Sequence, residues 1–315
     1  MRNESRIAKK EKRVRNNVIM KNFVVRTITG ILFVAVMVVG ICFRGDAMIL
    51  LFALITGLSL WEYTGLVNQH VENTNVNRFI STAAGVYLFL AFAGYCTDIV
   101  PSAAFIPYLL TVVYLFISEL YLQQKNPVQD WAYTMLGQMY VALPFSMMNV
   151  LAFQADPTTG QVAYNWLLPM SIFVFLWMND TGAYCVGSLF GKHRLFPRIS
   201  PKKSWEGSIG GAVLVLLVAA LISYFTKENG TTQMLPSLFG EGQGERLLHW
   251  IGLALIVVVF GTWGDLVESL FKRTLGIKDS GNILPGHGGM LDRFDSSLMA
   301  IPAAVIYIYT LQFLG

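Results

Sequence analysis

Charged side chains are scarce in this sequence. Asp, Glu, Lys and Arg make up 13% of its 315 residues, while hydrophobic residues make up 54%. Soluble domains contain about 25% charged residues. A chain with so few polar groups cannot cover a water-facing surface, so lipid must be its solvent. The period-two alternation of a barrel strand is also absent, which leaves a helical membrane protein as the expected class.

Cysteine is scarce as well, with three residues in the chain. Cys42, Cys96 and Cys185 lie within or beside apolar segments, and they form neither a zinc-ligand spacing nor a disulfide framework. We interpret them as small packing residues. A P-loop is missing too, because the run 187–193 is one residue short of that motif and lacks its Ser or Thr.

Long apolar runs are what the sequence has in abundance. Nine segments can cross a bilayer, at roughly 20 residues each. Since every backbone group in hydrocarbon must be bonded internally, we expect helices. The predicted fold class is an all-α polytopic membrane protein, one bundle with a cytoplasmic N-terminus. The predicted spans are 24–43, 47–67, 79–97, 103–123, 131–153, 165–188, 208–226, 247–270 and 296–314.

The distribution of Lys and Arg predicts the orientation. The arm 1–23 is basic, which places the N-terminus in the cytoplasm by the positive-inside rule. With nine spans, the connections 189–207 and 271–295 lie on the same side, and both are basic. We interpret the arm as a solvated anchor attracted to anionic lipids rather than a secretory signal. Transmembrane helices at 24–160 follow it, and then a region at 161–315 that carries the chemistry.

A dense polar run, 269–295, follows the predicted eighth span. Ionisable groups are unfavourable beside hydrocarbon, so their number points to function rather than to folding alone. The three glycines of the run 285–289 predict a sharp turn whose exposed N–H groups suit phosphate oxygens. The ionisable residues of the run are Lys272, Arg273, Lys278, Asp279, His287, Asp292, Arg293 and Asp295.

Helical spacing places several of these side chains on shared faces. Asp265, Ser269 and Lys272 lie at i, i+4 and i+7, and therefore form one stripe. Simpler interpretations are that Asp265 and Lys272 only neutralise each other, and that Asp292 only caps the last helix. Neither explains the second carboxylate of that helix, Asp295, or the arginine between the two.

The acidic side chains predict a metal site. Asp265, Asp292 and Asp295 offer the hard oxygen ligands that Mg²⁺ prefers, with room for water and substrate phosphates. His287 is a poor ligand candidate because no Cys or second His stands at ligand spacing. A hydrogen bond to phosphate or a role in the turn suits it better. Together these residues predict a metal-dependent reaction on phosphate groups.

A second polar cluster is expected on the same side of the membrane. Asp180 interrupts an apolar segment, with Asn179 beside it, and is a functional candidate for that reason. Lys202, Lys203 and Ser204 precede the seventh span and suit phosphate or nucleotide binding. Ordinary positive-inside charge explains the lysines equally well when they are taken alone. Their combination with Ser204 favours a ligand site.

The polar run resembles the signature of the phosphatidate cytidylyltransferases (CDP-diacylglycerol synthases). That signature reads S-x-x-K-R, four residues, K-D, then L-P-x-H-G-G-x-x-D-R-x-D, and every fixed position is filled. The stretches 179–191 and 200–207 resemble the family too, whereas 1–160 does so only in hydropathy and at 61–63. The matching residues are Ser269, Lys272, Arg273, Lys278, Asp279, Leu284, Pro285, His287, Gly288, Gly289, Asp292, Arg293 and Asp295.

The resemblance implies a reaction of CTP with phosphatidic acid that gives CDP-diacylglycerol and pyrophosphate. It implies Mg²⁺ or Mn²⁺ as cofactor and leaves open whether a monovalent cation shares the carboxylates. It also implies a homodimer in a lipid bilayer, the bacterial inner membrane, with the site facing the cytoplasm and no nucleic-acid partner.

Within that reaction we assign roles as hypotheses. Asp265 and Asp292 hold the metal, and Asp295 is a further ligand or a neighbour of one. The basic residues Lys272, Arg273 and Arg293 neutralise phosphates. The other predicted substrate-binding residues are Asn179, Asp180, Lys202, Lys203, Ser204, Ser269, Lys278, Asp279, His287, Gly288 and Gly289.

Two other functions stay open. A CTP-dependent kinase of the polyprenol or phytol type would use the same charges to phosphorylate a hydroxyl, and it would release CDP instead of pyrophosphate. An ion-coupled transporter would use Asp180 and Asp265 as membrane carboxylates. The polar residues, however, crowd one interface rather than line a path through the midplane.

Overall fold

The computed structural model describes residues 26–155, 160–226, 239, 242–281, 283 and 288–314. In these ranges the chain is almost entirely helical. The helices are α1 (Arg26–Cys42), α2 (Gly45–His70), α3 (Arg78–Cys96), α4 (Ile106–Leu122, after a 3-10 turn at Ser102–Phe105), α5 (Pro127–Gly137), α6 (Leu143–Ala152), α7 (Leu167–Phe190), α8 (Trp205–Phe225), α9 (Gln243–Thr274), α10 (Leu291–Phe294) and α11 (Ser297–Leu314).

Two short antiparallel hairpins interrupt the helices. The first pairs β1 (Phe153–Ala155) with β2 (Val162–Tyr164), between α6 and α7. The second pairs β3 (Arg194–Phe196) with β4 (Ser200–Ser204), between α7 and α8. The second hairpin positions the predicted basic cluster directly before α8.

Seven helical stretches in the described ranges are long and apolar enough to cross a membrane. Two further helices complete the match to the predicted segments: α1, which is apolar over 17 described residues, and α7, which is 24 residues long but carries two polar residues at 179–180. The all-α polytopic class is thus confirmed. The count of nine spans and the orientation of the N-terminus stay predictions, and the arm 1–23 lies outside the described residues.

The helices α5 and α6 form one continuous stretch with a π turn between them, at Gln138–Ala142. Proline causes the irregularity: Pro144 has no N–H to donate to the carbonyl of Tyr140, four residues earlier. The backbone N–H of Leu143 instead bonds Gln138, five residues back. Single π turns of this kind often occur at functional sites.

An aromatic cluster in the core fixes the start of the last helix. Phe294, which is 1% exposed, makes edge-on ring contacts with Phe33, Phe145 and Phe173, at centroid distances of 5.7, 5.4 and 6.1 Å. These partners come from α1, α6 and α7. Because Phe294 directly precedes Asp295, its burial sets where that carboxylate lies.

Glycines allow α7 and α8 to pack with their backbones in contact. A Cβ at Gly182 would lie 2.9 Å from the Cα of Gly211, and one at Gly207 would lie 2.9 Å from the carbonyl oxygen of Ala183. Small residues at helix crossings are typical of membrane proteins, since apolar burial alone does not drive helix association in lipid. This close packing holds the second hairpin beside the C-terminal end of α7.

Candidate active site

Lys272, near the end of α9, lies between two carboxylates. Its Nζ is 2.7 Å from Oε2 of Glu268 and 2.6 Å from Oδ1 of Asp292. Glu268 is completely buried, and Lys272 is 8% exposed. A buried carboxylate requires such a partner, because an unpaired charge in a low-dielectric interior is strongly unfavourable. Lys272 therefore joins α9 to the short helix α10.

The other oxygen of Asp292 is held by backbone amides. Oδ2 accepts hydrogen bonds from the N–H groups of Ser280 and Gly289, at 2.8 and 2.9 Å. Gly288 has a positive φ of 84°, which glycine adopts without strain. A Cβ at Gly288 would also lie 2.6 Å from that oxygen. The glycines thus let the loop wrap closely around the carboxylate of Asp292.

A glutamate from the N-terminal half of the chain anchors the same loop. Glu62, on α2, accepts hydrogen bonds from the backbone N–H groups of Met290 and Leu291, at 2.8 and 3.0 Å. It also accepts one from the hydroxyl of Ser280. That hydroxyl accepts in turn from the N–H of Asp292, at 3.3 Å. Glu62 is 7% exposed, so these contacts are shielded from water.

Four carboxylates form a group where α7, α9 and α11 meet. Asp180, Asp265 and Glu268 are the acidic groups that act electrostatically on Asp295. A glycine makes the approach possible: a Cβ at Gly264 would lie 2.7 Å from the carbonyl oxygen of Asp295. The four residues are referred to below as the carboxylate group.

Two cations offset part of the negative charge of the carboxylate group, and a hydroxyl donates a hydrogen bond to it. Lys203 forms an ion pair with Oδ2 of Asp265, and the Ser269 hydroxyl donates to Oδ1 of Asp265 at 3.2 Å. Lys203 and Arg293 both lie near enough to Asp180 to act on its charge. The two polar clusters of the sequence are therefore one site in space.

A polar cavity of about 530 Å³ opens beside this site. Its walls come from α7, the second hairpin, α8 and α9. Predicted binding residues line it, together with two aromatic or basic residues that the sequence did not single out, Tyr184 and Arg194. Among the lining residues are Asn179, Asp180, Lys202, Lys203, Ser204 and Thr262.

Ser204 already has a structural role in this cavity. Its side chain accepts a hydrogen bond from the N–H of Gly207, at 3.2 Å, and so caps the N-terminus of α8. Asn179 is buried, and its Oδ1 has no hydrogen-bond partner among the described residues. A contact of Ser204 with substrate stays a prediction. The Oδ1 of Asn179 is available to accept a hydrogen bond from a ligand.

Three predicted residues lie at the edge of the site. Arg273, Lys278 and Asp279 are exposed, and the guanidinium of Arg273 donates to the carbonyl of Ile277 at 3.1 Å. Their predicted substrate contacts remain predictions. His287 lies outside the described residues.

Among the described residues, no group of three or more His, Cys, Asp and Glu side chains has the geometry of a metal site. Both oxygens of Asp292 are occupied by Lys272 and by amides. The predicted ligands Asp265 and Asp295 lie in the carboxylate group, which shares Glu268 with these contacts. The predicted metal site stays a prediction.

The sequence alone assigned no role to Glu62 or Ser280, although Glu62 lies in the matching stretch 61–63. Glu62 bonds to residues 218 to 229 positions away in the chain, so no local spacing connects them. One signal was available, because an acid inside an apolar segment is a functional candidate by default. Ser280 follows Lys278 and Asp279 directly, at a variable position of the signature.

These features define an integral membrane protein with a polar, phosphate-compatible site at one end of its helical bundle. The chain belongs to the cytidylyltransferase family, whose sequence profile matches residues 24–311. The predicted resemblance is confirmed.

The similar curated proteins are bacterial enzymes. The phosphatidate cytidylyltransferase of Staphylococcus aureus (strain COL) is 32% identical over 286 residues, which cover 88% of this chain and 96% of that protein. The phosphatidate cytidylyltransferase of Haemophilus influenzae is 31% identical over 255 residues, which cover 78% and 84%. The match extends into the N-terminal half, where Glu62 lies.

Proposed function

We propose that this protein transfers a cytidylyl group from CTP to phosphatidic acid, giving CDP-diacylglycerol and pyrophosphate for phospholipid synthesis. The observation that supports this proposal most directly is that the carboxylate group adjoins a polar cavity lined by Lys202 and Lys203. Family membership and the names of the relatives give independent support.

The reaction requires little covalent chemistry from the protein. A phosphate oxygen of phosphatidic acid attacks the α-phosphorus of CTP, and the bond from that phosphorus to the bridging oxygen of the β-phosphate breaks. Pyrophosphate leaves with the electron pair. The lipid phosphate is already ionised near neutral pH, so no general base is needed. Positioning and charge stabilisation supply most of the acceleration in phosphoryl-transfer reactions of this kind.

The basic residues bind and orient the phosphates in this proposal. Lys202, Lys203 and Arg194 surround the cavity, where they neutralise the triphosphate of CTP. Lys272 is held rigidly between Glu268 and Asp292, which fixes its ammonium group without a loss of entropy on binding. Arg293 is exposed next to Asp180 and is free to contact the leaving pyrophosphate.

A divalent cation, Mg²⁺ or Mn²⁺, belongs to the proposal. The donor chemistry fits, because several carboxylates gather at one point and Oε1 of buried Glu268 has no hydrogen-bond partner in the described part of the chain. Asp265 and Asp295 would hold the ion, and Asp292 would join them only after releasing Lys272. When bound, the ion neutralises charge that develops on the phosphates.

The cellular setting is also proposed. Bacterial relatives and the basic cavity support an inner-membrane location with the site facing the cytoplasm, where CTP is found. The family resemblance supports a homodimer.

The test is to incubate the purified protein with labelled CTP, phosphatidic acid and Mg²⁺, then to extract the lipid. We expect labelled CDP-diacylglycerol and one pyrophosphate for each lipid formed. Release of CDP would identify a lipid kinase instead, and ion uptake by proteoliposomes without CTP would identify a transporter. The Asp292→Asn variant should lose transfer while still inserting, because its side chain no longer holds Lys272 as a carboxylate does.

A further inference from the structure

An apolar groove of about 490 Å³ lies between the π turn, α9 and α11. None of the described residues that line it is charged. Met139 and Ile306, two of its lining residues, are 63% and 64% exposed, so the groove is open at the side. Because these helices belong to membrane-spanning stretches, the opening faces hydrocarbon.

The groove and the polar cavity lie on opposite faces of α9. Phe260 lines the groove and Thr262 lines the cavity. Two residues in a helix correspond to a rotation of about 200°. One helix therefore separates an apolar space open to lipid from a polar space lined by lysines.

The inner end of the groove adjoins the carboxylate group. On α9, Phe260 is five residues before Asp265, and on α11, Leu298 is three residues after Asp295. At 1.5 Å per residue these separations are about 7 and 5 Å along the helix axes. The reacting groups of a lipid seated in the groove would thus reach the carboxylate group.

The length of the groove matches one leaflet. Its lining residues on α11 extend from Leu298 to Thr310, twelve residues and therefore about 18 Å of helix. Half of a hydrocarbon core of about 30 Å is about 15 Å. The groove is long enough for one acyl chain that runs from the interface towards the bilayer centre.

Tyr140 stands between the groove and the carboxylate group. It lines the groove, and Asp265, Glu268 and Asp295 all lie near enough to interact electrostatically with its hydroxyl. Its hydroxyl is buried and has no hydrogen-bond partner among the described residues. A buried hydroxyl without a partner is unfavourable, so a ligand oxygen at this place would be stabilised.

We propose that one acyl chain of phosphatidic acid lies in this groove and that the Tyr140 hydroxyl donates a hydrogen bond to a glycerol or phosphate oxygen of the same lipid. The inference rests on the proposed function and specifies where its lipid substrate binds and from which side it enters. The lipid approaches from the membrane side of α9 while CTP approaches from the polar side, and the two phosphates meet at the carboxylate group.

The experiment fills the groove and varies chain length. Ala303 lines the groove, so Ala303→Phe occupies volume that the chain needs. With dioleoyl phosphatidic acid in mixed micelles, KM for the lipid should rise roughly tenfold or more, the scale expected when a few methylenes lose their site. With dihexanoyl phosphatidic acid, KM should stay near the wild-type value. Ala83→Phe, at an exposed position on α3, is the matched control and should change neither value.

Two further measurements keep the proposal testable if Ala303→Phe folds poorly. Tyr140→Phe preserves volume, and it should raise KM for both lipids roughly tenfold, as expected for one lost hydrogen bond to a charged or polar oxygen. A phosphatidic acid with a photoreactive diazirine in the chain should label the peptide 297–314 in the wild-type protein. Labelling elsewhere, or an unchanged chain-length preference in an active Ala303→Phe protein, would overturn the groove assignment. Absence of CDP-diacylglycerol from the wild type would instead overturn the proposed function.

Discussion

At the residue scale, Lys272 is the cation that two carboxylates share, and its removal should affect both stability and turnover. Lys272→Met leaves Glu268 buried without its partner. Breaking a buried pair in this way costs about 3–5 kcal/mol. We expect a lower thermal unfolding midpoint in detergent and no measurable CDP-diacylglycerol.

A double variant separates the two effects of Lys272. Lys272→Met with Glu268→Gln removes the uncompensated charge, so the unfolding midpoint should recover most of the loss. The double variant should still form no CDP-diacylglycerol, because no ammonium group remains to act on phosphate. Recovery of both properties would mean that Lys272 is only a counter-ion for Glu268.

Glu62 is expected to control the position of the loop that wraps around the carboxylate of Asp292 rather than to touch substrate. A carboxylate accepts all three hydrogen bonds from Ser280, Met290 and Leu291, whereas in Glu62→Gln one oxygen becomes an NH₂ donor that faces donors. A displacement of about 1 Å at a catalytic loop lowers turnover roughly hundredfold. We therefore expect kcat to fall on this scale with KM for CTP little changed, measured by pyrophosphate release.

The exposed acid Glu72, two residues after the end of α2, provides the control for Glu62. Glu72→Gln removes an identical charge without contacts to the loop and should retain wild-type kcat. Equal activity of both variants would show that the loop keeps its position without Glu62.

Whether the role of a residue can be predicted from the sequence depends on how far along the chain its partners lie. Lys272, Asp292 and Asp295 belong to one signature and Asp265 lies four residues before it, so the sequence alone brings them to attention. The engagement of Asp292 by two amides was not predictable, because it depends on where the loop folds back. Long-range contacts require the packed helices to be known first.

At the scale of elements, the contact between α9 and the α10–α11 junction depends on one glycine. A Cβ at Gly264 would meet backbone oxygens of Asp295 and Ser296, at 2.7 and 3.0 Å. Gly264→Ala should therefore move the helices apart and separate Asp265 from Asp295. Turnover should fall roughly tenfold to hundredfold, as expected for a small displacement of reacting groups.

The control for this contact is another glycine of α9. No described atom lies within 4 Å of a Cβ added at Gly244, so Gly244→Ala adds the same methyl group to α9 without a clash in the described part of the chain. If both variants lose activity equally, the close approach at Gly264 is not what holds the site together.

The helices themselves were predictable, since nine hydrophobic runs coincide with helical stretches in the described ranges. The second hairpin was not, because β3 is only three residues long and β4 is polar with no alternating apolar pattern. The π turn was not predictable either. Pro144 is visible in the sequence, but it leaves the carbonyl of Tyr140 without its usual N–H donor only because the helix continues through the proline.

At the scale of the whole molecule, the orientation of the site depends on whether α7 crosses the membrane. This helix lies between the first hairpin, which carries Ala163, and the second hairpin, whose turn carries Arg198. Both residues are exposed. If α7 spans the bilayer in spite of Asn179 and Asp180, these two positions must face opposite sides.

Cysteine labelling tests this arrangement directly. In a background with Cys42, Cys96 and Cys185 replaced by alanine, a membrane-impermeant maleimide applied to spheroplasts should label Ala163→Cys but not Arg198→Cys. Permeabilised cells should show labelling of both. The positive-inside rule predicts this result, because the second hairpin is basic and the first is not. Labelling of both positions from outside would mean that α7 does not cross, and it would place the lysine-lined cavity where CTP is absent.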